Sequence, residues 1–201
     1  MKLIVAVAAL SAAIAVPALA QTKPPTQKPA AKSAAAKPAA VSPDMAFARE
    51  AAIGGMAEVE LGKLAKQKAS SDDVKQFGDR MAADHGKGGE ELKQWAQSKK
   101  ITLPAELDAK HKALRDRLAK LPPEAFDRQY MHEMVMDHQH DVMAFKREAS
   151  MGKDADLKAW AAKTLPTLEE HLKLAKDAAL KVGASAGGTK KSTEPKGRGG
   201  R

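Results

Sequence analysis

ITLPAELDAKHKALRDRLAKLPP, residues 101–123, is the stretch on which the fold turns. Pro104 and the pair Pro122-Pro123 interrupt helix at its two ends, because proline lacks a backbone donor and pushes the residue before it toward extended conformations. Between them Leu107, Leu114, Leu118 and Leu121 return to one helical face, which predicts a short helix over 104–121. On either side the chain is rich in Ala, Leu, Met, Lys and Glu and poor in β-branched residues, the composition of long helices. Helix is predicted from Asp44 to Lys68 and, after Ala69-Ser70-Ser71, to about Lys99, with Ser71 or Asp72 placed to cap it. Beyond the crossover, helix is predicted from Pro123 to Ser150 and, after Met151-Gly152-Lys153, from Asp154 to Val182, with a kink at Pro166. Two hairpins joined by so long a crossover predict an all-α, ferritin-like antiparallel four-helix bundle with a short fifth helix in the crossover. An up-down-up-down bundle would use short loops throughout. A weak repeat agrees: Asp73-Val-Lys-Gln-Phe77 and Asp156-Leu-Lys-Ala-Trp160 each open the second helix of a hairpin.

The flanks read differently. Lys2 precedes an apolar run to Val16, then Pro17 and Ala18-Leu19-Ala20, small side chains where a signal peptidase reads. Residues 1–20 are therefore expected to be a signal peptide cleaved before Gln21. A run of about 14 apolar residues falls short of the roughly 20 that cross a bilayer. The mature protein is thus expected to be periplasmic or secreted, without a transmembrane segment. Residues 21–43, rich in Ala, Pro and Lys, read as a flexible tether, residues 44–182 as the folded domain and residues 183–201 as a disordered basic tail. With no Cys, disulfides, thiolate ligands and a lipidated amino terminus are excluded.

The formal charge of +9 belongs to the ends. Residues 1–43 carry five Lys and no acid, and residues 181–201 carry six Lys or Arg against Glu194 alone. The remainder has 23 basic and 24 acidic residues, so the domain is nearly neutral and nucleic acid is not an expected partner. The basic ends could touch an anionic envelope surface, or serve only to keep the chain soluble.

Each long helix carries an apolar seam with alternating three- and four-residue spacing, and each seam is interrupted by one metal-capable side chain. The seams are Phe47, Ala51, Gly54, Glu58, Leu61 and Ala65; Val74, Phe77, Met81, His85, Leu92 and Trp95; Met131, Val135, His138, Val142 and Phe145; and Leu157, Ala161, Thr164, Leu168, His171 and Ala175. Counting residues from the hairpin turns puts Glu58 and His85 within roughly 5 Å in height and His138 and His171 within roughly 8 Å, and the tilt of side chains toward their own amino termini narrows both gaps. One shared layer is feasible. Burying these groups without partners would cost about 1 to 3 kcal/mol each, a cost that a metal ion or mutual hydrogen bonding would offset. The plainer alternative makes His85 and His171 satisfied core histidines and gives Glu58 a Lys partner or a register-setting role. A second seam, Ile53, Ala57, Glu60 and Leu64, offers Glu60 in place of Glu58.

The chain resembles the exported bacterial family known as domain of unknown function 4142, placed with the ferritin-like bundles. The resemblance covers residues 44 to about 180 and rests on Gly55-Met-Ala-Glu-Val-Glu-Leu-Gly62, Asp84-His85, Phe126-Asp-Arg-Gln-Tyr130, Asp137-His138 and Leu165-Pro-Thr-Leu-Glu-Glu-His171. It implies the same four polar residues, Glu58, His85, His138 and His171, and no established activity.

Di-iron ferritins use Glu-x-x-His, which this chain lacks; Asp137-x-x-His140 is the nearest approach, and it points His140 away from His138. The leading expectation is a bundle binding one divalent transition ion, Zn, Fe, Ni or Cu, through Glu58, His85, His138 and His171. The competing expectation is a non-catalytic envelope stress or interaction module in which the polar residues set helix register. An enzyme would need a vacant coordination position or a cleft. Residues 131–143 hold four of the nine Met and three of the six His, a set that suits Cu(I) but also describes ordinary core filling by Met.

Overall fold

The computed structural model describes residues 41–184 as five helices: α1 (Pro43–Lys68), α2 (Asp72–Ser98), α3 (Ala109–Ala119), α4 (Pro123–Met151) and α5 (Ala155–Lys181). The signal peptide expected at 1–20, nearly all of the tether and all but the first two residues of the basic tail lie outside the described residues. Local chemistry sets the helix ends. Ser42 accepts from the Met45 N–H and Pro43 occupies the first turn, where its missing donor costs nothing. Asp154 accepts from the Asp156 and Leu157 N–H groups to start α5, and that helix runs on through Pro166. It closes with Gly183 at φ 71°, where the Ala184 N–H reaches the Ala179 carbonyl, a left-handed cap that favours glycine.

Two expectations need correction. The crossover helix begins at Ala109, five residues later than Pro104, because Ile101, Leu103 and Leu107 reach the core from an irregular segment and Asp108 then caps the helix through the His111 N–H at 2.9 Å. Ser71 occupies the cap position of α2 but makes no side-chain cap. The buried Asp127 carboxylate of α4 accepts instead from the Ser70 and Ser71 N–H groups and the Ser70 hydroxyl.

That clasp places the start of α4 beside the α1–α2 turn. At the opposite end, Asp44 accepts from the Lys153 and Asp154 N–H groups, and the Trp95 Nε1–H donates to Asp154 at 3.0 Å. The crossover therefore runs the length of the bundle, α2 and α4 point the same way, and α1 and α5 point the other. Within the first hairpin, Gly62 and Gly78 let α1 and α2 approach closely: a Cβ on Gly62 would lie 2.4 Å from the Gly78 carbonyl oxygen.

The apolar core falls into two clusters. One holds Leu61, Phe77, Met81, Leu118, Phe126, Tyr130, Met131 and Met134; the other holds Phe47, Leu92, Trp95, Val142, Phe145, Leu157 and Leu168. Along every long helix the residue between the two clusters is polar: Glu58, His85, His138 or His171. No helix among the described residues is long and apolar enough to cross a membrane.

Candidate metal centre

The seam positions converge as a single layer. Glu58 and His138 are fully buried, His171 is 1 % exposed, and the His85 side chain is 10 % exposed. The imidazole centroids are 5.2 Å apart for His85 and His171, 5.4 Å for His138 and His171, and 5.6 Å for His85 and His138. One ring nitrogen from each histidine lies within 4.8 Å of the other two. Glu58 Oε2 is 2.6 Å from His85 Nδ1 and Oε1 is 3.3 Å from His138 Nε2, yet neither contact has hydrogen-bond geometry. The register that selects Glu58 is the observed one: Glu60 is half-exposed and pairs with Arg115 at 2.8 Å.

Neighbours fix the tautomers of two of these rings. His138 Nδ1 donates to the Met134 carbonyl at 2.9 Å, which leaves Nε2 with its lone pair, and His171 Nε2 donates to Asp84 Oδ2 at 2.8 Å, which leaves Nδ1 free. The fully buried ring nitrogens of the triad without a hydrogen-bond partner are His85 Nε2, His138 Nε2 and His171 Nδ1. Burial pulls His85 down to about 4, against the opposing charges of Asp137 and Asp84. Burial also lowers His138 despite Glu58, and His171 despite its hydrogen bond to Asp84. The Glu58 carboxyl is pushed up to about 8 by burial, with Asp137 adding to the effect and His138 opposing it. Near neutral pH the layer is thus three neutral imidazoles and a protonated carboxyl, each ring with a basic lone pair. Such lone pairs are what a transition ion takes, once Glu58 gives up its proton.

Residues outside the seams support this layer. Burial raises the Asp84 carboxyl, but hydrogen bonds from His171 and Arg80 prevail and hold it below the usual carboxylate range. Arg80 Nε lies 3.3 Å from Asp84, and its other end pairs with Glu170 of α5 at 2.9 Å, so a chain of charges on the α2–α5 flank orients His171. Asp137 and Asp141 of α4 lie beside Glu58, one oxygen of each within 4.8 Å of the others. Seam periodicity does not mark these aspartates, because they flank the core-facing positions; their signal is the dipeptides Asp84-His85 and Asp137-His138. A cavity of about 40 Å³, lined by His85, His171, Asp84 and Asp141 among others, adjoins the triad. It has room for about one water molecule. His140, off the seam, is exposed and pairs with Glu50 at 3.0 Å. In the Met-rich segment Met131 and Met134 fill the core, whereas Met136 and Met143 are exposed.

Several solved structures share this fold. A DUF305 protein of Streptomyces coelicolor is 18% identical, with 76% of this chain and 99% of that one covered at a TM-score of 0.63. A DUF305 fragment from Deinococcus radiodurans is 12% identical, with 69% and 96% covered at 0.62. CopM in its Cu(I)-bound form is 18% identical, with 69% and 96% covered at 0.58. At these identities the likeness is one of fold. No curated protein sequence matches the chain. The family described as domain of unknown function, DUF4142, matches residues 29–178, and the chain belongs to that family.

Proposed function

We propose that this is an exported metal-binding bundle in which His85, His138 and His171, with Glu58 beside them, hold one transition ion. One observation carries the reading: three buried, neutral imidazoles each keep one ring nitrogen without a hydrogen-bond partner, and three ring nitrogens lie within 4.8 Å of one another. Orphaned buried polar atoms are costly, and five on four residues of one layer are more than register needs. The set lacks thiolate and suits Zn, Fe, Ni or Cu. CopM, a protein of similar fold, has been solved with Cu(I) and with Cu(II), which makes copper the first ion to try. A cavity sized for one water favours holding an ion over turning over an organic substrate. Export rests on the signal-peptide pattern of residues 1–20, and the periplasm or the medium is the compartment it implies.

The test is titration of the metal-stripped mature protein with Cu²⁺ and Zn²⁺, read by calorimetry and metal content. Close to one equivalent is expected, with a rise in melting temperature that grows with free ion. His85→Ala, His138→Ala and His171→Ala should each lose most of it, and His132→Ala and His140→Ala little. Acid should release the ion below the ordinary imidazole range, because burial lowers all three histidines. Absence of saturable uptake would overturn the reading. The close Glu58 contacts with His85 and His138 favour a second reading, in which the layer only sets register in an envelope interaction module, and that reading would then stand.

A further inference from the structure

We propose that Glu58, Asp137 and Asp141 form a second cation site, distinct from the histidine triad and sharing Glu58 with it. Asp137 and Asp141 are one turn apart on α4, so their carboxylates share a face that looks across to α1. Like charges in that arrangement repel, and a shared proton or a bound cation is what relieves them. Beside the pair is a third carboxyl group, Glu58, which is fully buried and whose two oxygens have no hydrogen-bond partner. One oxygen from each of the three lies within 4.8 Å of the other two.

No protein cation answers them. Among the described residues no Lys or Arg pairs with Asp137 or Asp141, and His140, between them on the same helix, pairs with Glu50 instead. The two sites differ in chemistry. Three imidazole nitrogens select a borderline transition ion, whereas three carboxylates select a hard divalent ion such as Mg²⁺, Ca²⁺ or Mn²⁺. Glu58 faces both, touching His85 and His138 on one side and lying beside the aspartates on the other, the placement of a carboxylate that bridges two ions. Asp141 also lines the cavity that His85 and His171 line, so the two sites adjoin one small space. Asp137 and Asp141 are only half-buried, which gives a hard ion a route from solvent that His138 and His171 lack.

The inference rests on the histidine reading only through the shared Glu58, and the experiment separates the two. The mature protein, loaded with one equivalent of Zn²⁺, is titrated with Mn²⁺ while free Mn²⁺ is followed by electron paramagnetic resonance. About one equivalent of Mn²⁺ should bind. The double variant Asp137→Asn, Asp141→Asn should weaken Mn²⁺ at least tenfold while keeping Zn²⁺ stoichiometry, with helical content and melting confirming the fold. His171→Ala, whose ring contacts Asp84 and not Glu58, should lose Zn²⁺ and keep Mn²⁺. With Cu²⁺ replacing Zn²⁺, bound Mn²⁺ should broaden the copper signal through the shared carboxylate. Mn²⁺ that stays free in both metal-stripped and Zn²⁺-loaded protein, or that binds the double variant as well as the wild type, would overturn the second site and leave the first. Mn²⁺ uptake without Zn²⁺ or Cu²⁺ uptake would do the reverse.

Discussion

Gly62→Ala places a methyl group where α1 and α2 have no room for one. The new Cβ would lie 2.4 Å from the Gly78 carbonyl oxygen and 3.1 Å from the Ala82 nitrogen, both backbone atoms that no side-chain rotation can move aside. The two helices must part. Overpacking of this kind costs about 1 to 3 kcal/mol, while alanine in place of glycine inside a helix returns about 0.8 to 1.0. The expected net loss is about 0 to 2 kcal/mol, or up to roughly 8 °C in melting temperature for a domain of this size, and relative to Gly54→Ala the loss is the full overpacking cost of about 1 to 3 kcal/mol. Gly54→Ala on the same helix is the control, because nothing lies within 4 Å of its Cβ. There the helix propensity acts alone, and a gain of up to about 1 kcal/mol is expected. Glu58 sits one turn from Gly62, so the same separation should draw Glu58 away from His85, now 2.6 Å distant, and weaken ion uptake in Gly62→Ala and not in Gly54→Ala. Urea and thermal unfolding followed by circular dichroism read the stabilities. A Gly62→Ala protein as stable as Gly54→Ala would refute the close packing of this hairpin.

Lys100 closes α2 at φ 57°, with the Ile101 N–H on the Ala96 carbonyl, so Lys100→Gly should stabilise by about 0.5 to 1 kcal/mol in denaturant melts. Leu168→Ala should cost about 2 to 5 kcal/mol, and Glu169→Ala, which removes only an exposed pair with Lys146, less than about 1; equal costs would overturn the register of α5. Asp154 is held at about 2 by Lys99 first, then by the Leu157 N–H and Trp95. Its unfolded value is higher, so the unfolded chain binds more protons between about 4 and 2, and its contribution is present above that window and lost as pH falls through it. Asp154→Ala should flatten the acid limb of a stability profile. Asp84→Ala should weaken transition-ion binding about 10- to 100-fold without changing stoichiometry, since Asp84 orients His171 and frees its Nδ1.

Most helix boundaries were legible because proline, serine and aspartate punctuate them, and the layer of four polar side chains was legible because the seams put one on each long helix. Three- and four-residue spacing left Glu60 open beside Glu58, and it is burial that separates them, Glu58 in the core and Glu60 with Arg115 at the surface. What periodicity could not show were groups on the flanks between helices. Asp84 meets His171, 87 positions away, and Asp127 caps a turn 56 positions earlier; neither partner leaves a local mark. The start of α3 was missed for the opposite reason. Leu107 fits a helical stripe, but its burial is achieved by an irregular approach to the core, and Asp108 provides a stronger start signal than Pro104.

The layer of Glu58, His85, His138 and His171 also divides the oily interior in two, with segments of all four long helices in each half. Fraying that starts at either end of the bundle must pass this layer to reach the other half. With the four side chains tied to an ion the layer acts as a cross-brace, and the halves can melt one after the other, giving a calorimetric enthalpy larger than the van't Hoff enthalpy. Untied, the layer offers little resistance to separation, and the two halves share one transition. The width of the melting curve, not only its midpoint, therefore carries information about what the centre of the bundle holds.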